Sequence, residues 1–195
     1  MSQYAGPRHQ ADDRERRRWQ NPEAILADIG VKPGSTFIDV GCGGGFFTLP
    51  AARMVGAGGK VYGIDVDEPS LREMRELADK EGLRNLALTA GKAEEVALCQ
   101  ACADLVFFGI ALHDFNDPAR VLVNARKMLK PAGHLVDLDW KKEPMKLGPP
   151  LSKRFAEGDA VRLIEVAGFS IETIEDSGSY HYLVIARLAQ PVAFV

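Results

Sequence analysis

The residues Asp39-Val40-Gly41-Cys42-Gly43-Gly44-Gly45 join a carboxylate to a run of glycines. Glycine reaches φ > 0 without a steric penalty and lacks a Cβ, so a ligand can lie against the backbone of such a run. Asp65 stands further on, at the end of a second apolar stretch. A carboxylate at the tip of a strand next to a glycine turn can accept both hydroxyls of a ribose, which points to a nucleoside. His113 could take up a proton near neutral pH, and Asp114 follows it. Trp19 and Trp140 offer flat walls for a small-molecule pocket. Cys99 and Cys102 form a C-x-x-C with no second pair to complete a four-ligand zinc site. No metal, redox or arsenic-binding role is expected of that pair, and all three thiols are expected to be reduced.

Elements must position these groups. A strand ending at Asp39 and Val40 precedes the glycines, and a helix is expected from about Phe46, with Pro50 in its first turn. A second strand closes on Asp65. Val66-Asp67-Glu68-Pro69 opens a helix with the stripe Leu71, Met74, Leu77 and Ala78, stopped by Gly82. Leu86 to Ala90 reads as a third strand, with Gly91-Lys92-Ala93-Glu94-Glu95 at its carboxyl end. Ala103 to Phe108 is almost continuously apolar, as a strand covered on both faces would be. It leads into Gly109 and His113. Asp117-Pro118 caps a helix carrying Val121, Leu122, Ala125, Met128 and Leu129, and His134 to Asp139 forms a fifth strand. Asp159 to Ala167 is helical. Phe169 to Asp176 and Tyr180 to Leu188 flank Ser177-Gly178-Ser179 as a hairpin. Strands alternating with helices predict a parallel sheet. Residues 1–20 form a charged arm, 21–188 one domain and 189–195 a tail. Arg14 to Gln20 and the Pro/Gly-rich stretch Lys141 to Pro150 are the segments suited to close over a ligand.

Phe37-Ile38-Asp39-Val40-Gly41-Cys42-Gly43-Gly44-Gly45 resembles the first motif of class I S-adenosylmethionine-dependent methyltransferases, an acidic residue, an apolar residue and G-x-G-x-G. Dinucleotide enzymes use G-x-G-x-x-G, and here Phe46 stands where their third glycine belongs. The resemblance runs from Asn21 to Leu188 and is to the type 11 and ubiquinone–menaquinone biosynthesis enzymes. It implies a Rossmann-like α/β fold: a seven-stranded, mostly parallel sheet, helices on both faces and a carboxyl-terminal antiparallel hairpin. It implies S-adenosylmethionine as cofactor, held by Asp39, Gly41, Cys42, Gly43, Asp65, Val66, Lys92, Ala93, Glu94 and Gly109. The family often has an aspartate where Lys92 stands. An ammonium cannot accept from the adenine amino group, so the backbone near Ala93 or the Glu94 carboxylate would take that role.

Nucleic-acid amino-methyltransferases usually carry Asn or Asp, then Pro-Pro and an aromatic, after the fourth strand. This chain has Gly109-Ile110-Ala111-Leu112 there. A net charge of −3 also argues against nucleic acid. The expected acceptor is therefore a small molecule, in a pocket with Trp19, His113 and Trp140, with His113 the candidate base. The other reading is a nucleotide-binding protein without methyl transfer, either an NAD-type dehydrogenase or a silent adenosylmethionine binder. The amino-terminal stretch has no apolar core, and the longest apolar run, Leu105 to Leu112, is too short for a bilayer. The expected location is the cytoplasm, with no membrane contact.

Overall fold

The computed structural model describes residues 10–190. The first nine residues of the expected arm, and residues 191–195 of the expected tail, lie outside the described residues. The chain divides into two compact units, residues 1–96 and 97–195.

In the first unit, α1 (Gln10–Arg16) precedes α2 (Pro22–Asp28). The Asn21 side chain accepts the Ala24 N–H and proline opens α2, as the Asn-Pro pair foretold. Three parallel strands follow: β1 (Thr36–Val40), β2 (Lys60–Asp65) and β3 (Leu86–Ala90), in the order β3-β2-β1. The registers run from Thr36 opposite Lys60 and from Val61 opposite Leu86, so all three carboxyl ends lie on one side. Helix α3 (Thr48–Val55) joins β1 to β2. It starts two residues later than expected, because Gly45 at φ +90° and Phe47 as N-cap extend the turn. Helix α4 (Glu68–Lys80) is capped by Asp67, which accepts from the Ser70 N–H and hydroxyl. Its buried stripe of Leu71, Met74 and Ala78 packs with Leu49 and Cys42. Burying such side chains stabilises the unit by about 1.5–3 kcal/mol each relative to exposure.

In the second unit the strand order is β4-β5-β7-β6. β4 (Ala103–Gly109) and β5 (Leu129–Trp140) are parallel. β7 (His181–Leu188) runs antiparallel to β5 and to β6 (Phe169–Ser177). The last strand thus inserts inside the hairpin's outer strand. Helix α5 (Pro118–Met128) buries Val121, Leu122, Ala125 and Met128. β5 begins at Leu129 rather than His134, directly after the helix, and pairs Ala103 with Leu129 before an irregularity in register. Helix α6 (Glu157–Val166) starts two residues before Asp159. The seven strands, mostly parallel with antiparallel strands at the carboxyl end, make the fold class the one expected.

The thiol expectation is overturned. Cys99 and Cys102 are joined as a disulfide, and Cys42 is free and buried. Their Cα atoms are 6.1 Å apart, within the span a bridge tolerates. The turn between them brings the side chains together, which a count of cysteines does not reveal.

Candidate functional site

The glycine turn is built by the backbone. Gly41, Gly43 and Gly45 have φ of +78°, +49° and +90°, a region that costs other residues 1–2 kcal/mol or about that. The N–H groups of Gly41 and Cys42 both donate to the Ile64 carbonyl, at 2.9 and 3.1 Å. The turn is thereby folded back over the end of β2. There the Gly43 N–H donates to Asp65 Oδ2 at 2.7 Å, and the Asp67 N–H donates to Asp65 Oδ1 at 2.9 Å. Each carboxylate oxygen is fixed by one donor and keeps lone-pair capacity for a further one. Val66 beside it is an apolar side chain left 69% exposed.

Asp39 is buried, and Thr48 Oγ1 donates to its Oδ2 at 2.6 Å. Burial raises its carboxyl, Thr48 opposes this and Asp65 adds to it, and the result is a pKa of about 7. Asp39 therefore ties β1 to the first turn of α3. The Cys42 thiol is pushed up by burial and by the nearby carboxylates of Asp39 and Asp65, so it is a packing group and not a nucleophile. After β3, the Gly91 N–H donates to the Asp65 carbonyl. Ala93 is buried, Glu94 half-buried, and the exposed Lys92 ammonium lies 3.3 Å from Glu95.

The inner end of the arm packs on the turn after β1. The Arg16 guanidinium lies 3.9 Å above the Phe46 ring, and its Nε donates to Gln20 Oε1 at 2.7 Å. Gln20 is buried, and its amide nitrogen has no partner among the described residues. Trp19 is half-buried.

In the second unit, Gly109 ends β4. Ile110 then takes φ +63°, an outlier for a β-branched residue, and donates its N–H to Leu138 at 2.7 Å. The chain turns back and a short 3-10 turn, Leu112–Asp114, brings His113 to the end of β5. His113 Nδ1 lies 2.7 Å from Asp139 Oδ1 and 2.9 Å from Oδ2. Asp139 also accepts the N–H groups of His113 and Trp140. The network assigns the proton to Nδ1, leaving Nε2 as the acceptor, 3.7 Å from Asp114. Burial lowers the imidazole's pKa, but the Asp139 hydrogen bond and charge, with Asp114, outweigh it and hold it above the usual value. This pair can remove a proton from a bound group.

Trp140 is buried, its ring 4.3 Å from His181. The loop after it is wound around Arg154, whose guanidinium donates to the carbonyls of Lys141, Glu143, Leu147 and Pro149. Thus Asp39, Gly41, Cys42, Gly43, Asp65, Val66, Lys92, Ala93 and Glu94 gather at the strand ends of one unit. Gly109, His113 and Trp140 gather at those of the other. Sequence reasoning missed Thr48, Asp139 and Arg154. A hydroxyl in the first turn after the glycines signals Thr48, and an acid at a strand tip signals Asp139. Nothing in the loop's composition signals Arg154.

A methyltransferase-domain family model matches residues 31–167. The chain belongs to that family. A solved S-adenosylmethionine-dependent methyltransferase from Aquifex aeolicus is 32% identical, with a TM-score of 0.86 over 92% of this chain and 96% of that one. Demethylmenaquinone methyltransferase from Bacillus mycoides is 32% identical over 127 residues, 65% of this chain and 53% of that protein. Nocamycin O-methyltransferase from Saccharothrix syringae is 34% identical over 111 residues, 57% of this chain and 40% of that protein. The chain spans about half the length of these curated relatives.

Proposed function

We propose that this chain is an S-adenosylmethionine-dependent methyltransferase acting on a small-molecule acceptor in the cytoplasm, with residues 21–188 working as one domain. The observation that carries the reading is the Gly43–Asp65 hydrogen bond. It fixes a carboxylate at the tip of β2 beside left-handed glycines, with acceptor capacity left for a ribose. The residues fit the cofactor in other respects. Gln20 has a buried donor awaiting an acceptor, suited to a carboxylate. The exposed Val66 can cover one face of adenine. The Lys92 side chain is engaged with Glu95, which leaves the Ala93 backbone or the Glu94 carboxylate for the adenine amino group. Asp39 sets the turn through Thr48, and Gly41, Cys42 and Gly109 contribute backbone.

When bound, the cofactor supplies an electrophilic methyl group on a sulfonium with a neutral thioether as leaving group. The protein's tasks are to align the acceptor, exclude water and hold the displaced proton. Alignment alone can contribute roughly 7–11 kcal/mol in favourable cases. His113 accepts the acceptor's proton at Nε2, and Asp139 orients the ring and stabilises the imidazolium. Trp19 and Trp140 are assigned to shaping the acceptor's surroundings. Both curated relatives are named for methyl transfer to small molecules, in line with this acceptor class.

The test is thermal denaturation with adenosylmethionine, adenosylhomocysteine, NAD and NADP. Ligand at about a hundredfold excess over Kd adds about 2.7 kcal/mol, a rise of several degrees. The first two should raise the melting temperature and the last two should not. A rise with NAD alone overturns the reading.

A further inference from the structure

The Cys99–Cys102 disulfide has no part in the proposed reaction. Both cysteines are half-buried, and the residues between them, Gln100 and Ala101, are exposed. A small reagent can therefore reach the bridge. The segment around it grips the end of α5. The last carbonyls of a helix lack partners within the helix. Here the Ala101 N–H donates to the Lys127 carbonyl and the Cys102 N–H to the Met128 carbonyl, both at 2.9 Å. The Leu98 N–H meets Met128 Sδ at 3.2 Å. Ala101 holds φ +46° to make this turn, a conformation that an alanine adopts only under constraint.

We infer that Cys99 and Cys102 form a reversible redox site that exchanges with a small-molecule thiol couple and sets the cap on the carboxyl end of α5. The bridge closes a loop of two intervening residues, so it constrains the unfolded chain little and gains little stability by cross-linking. That is the opposite of a structural staple across a long loop. In the cytoplasm, where the proposed function places the chain, disulfides are transient ones that sense or transfer electrons. The exchange balances. A small thiolate attacks one sulfur, breaks the S–S bond and forms a mixed disulfide, releasing the other cysteine as a thiolate. A second small thiolate then attacks the small molecule's own sulfur in the mixed disulfide, forming the small disulfide and releasing the second cysteine as a thiolate. Two electrons pass to the protein, two protons complete its thiols, and the small disulfide leaves. Once the bridge opens, Ala101 is no longer held in the left-handed region and the cap on Lys127 and Met128 loosens. Asp117 caps the other end of the same helix, just after His113.

The test uses the full chain equilibrated in glutathione buffers from fully reducing to fully oxidising. Samples are acid-quenched, denatured, alkylated and weighed intact. Of the three cysteines, Cys42 is alkylated throughout and serves as the internal standard. The expected result is a shift from three labels to one as the buffer becomes oxidising, with the same midpoint from either direction. Three labels in every buffer mean that no bridge forms, and one label in every buffer means a fixed cross-link. Either overturns the inference. Amide exchange at Ala101 and Cys102 should be faster in the reduced protein, on the order of tenfold. Equal exchange in the two states overturns the claim that the pair sets the helix cap.

Discussion

The Gly43 amide and the Asp65 carboxylate, 22 residues apart in sequence, meet at 2.7 Å. One bond thereby sets both halves of a candidate nucleoside site, the turn that leaves β1 and the acid that ends β2. Removing the acid should therefore do two things. Asp65→Ala should weaken adenosylhomocysteine binding by about 1.5–3 kcal/mol for each charged hydrogen bond lost. It should also release the Gly43 amide, seen as faster exchange without ligand. Calorimetry showing an unchanged affinity would remove Asp65 from the site.

Gly43→Val tests the turn from the other side. Gly43 stands at φ +49°, and a β-branched residue there is strained. Binding should be abolished and the melting temperature should fall by a few degrees, as a loss of about 1–2 kcal/mol implies. The far-ultraviolet circular dichroism spectrum should remain near that of the wild type. Normal cofactor binding by this variant would make the turn structural only.

Asp139→Asn should lower the His113 pKa, which Asp139 holds above its ordinary value. A histidine with a raised folded pKa contributes stability that is fully present below its unfolded value, near 6.5. That contribution is lost as pH rises through the folded pKa. The variant should therefore lose more stability at pH 6 than at pH 9. In turnover assays the acidic limb of kcat/KM, where the base gains its proton, should move to lower pH, because the base is weaker. Parallel stability curves for the two proteins would mean that His113 is not held charged by Asp139.

Asp39 works in the same sense although it is an acid. Burial raises its pKa to about 7, so the fold binds this proton more tightly than the unfolded chain. Its stabilising contribution is fully present below the unfolded value, near 3.9, and is lost as pH rises through about 7. Asp39→Asn should gain on the wild type in denaturant titrations between pH 5 and pH 8. A difference that does not vary over that window would contradict the raised pKa.

Arg154→Ala should unwind the loop after β5. Four carbonyls lose their shared donor, at a cost of about 2–4 kcal/mol. Trypsin should then cleave faster after Lys141, Lys142 and Lys146. Unchanged proteolysis would mean that the loop is held by other contacts.

The fold was legible because its signals are local. The Asn21-Pro22 cap, the Asp39 to Gly45 turn, the α4 stripe and the apolar β4 each announce an element through propensity and periodicity. The Gly43 turn and the Asp65 strand tip of the candidate site were legible for the same reason, since they lie close together in sequence. The rest depends on pairings between distant residues. Nothing near His113 names Asp139 as its partner, because only the left-handed Ile110 turns the chain back to β5. Boundaries slipped at Gly45, whose left-handed backbone delays α3, and at Leu129, where β5 follows α5 directly in extended conformation with no turn between them. The disulfide was missed because spacing gives the number of thiols and not the shape of the turn between them.

Arg154 holds the loop only through main-chain oxygens among the bonds described for it. Such a grip does not depend on which side chains the loop carries. Two positions are exceptions: a Cβ at Gly148 would come within 2.9 Å of the Trp140 ring, and Lys141 Nζ lies 2.7 Å from Asp176 Oδ1. The positions around them can change identity while the path stays fixed. The loop is thus an exchangeable cassette on a constant spool, and its residues can diversify without refolding the strand that holds Asp139.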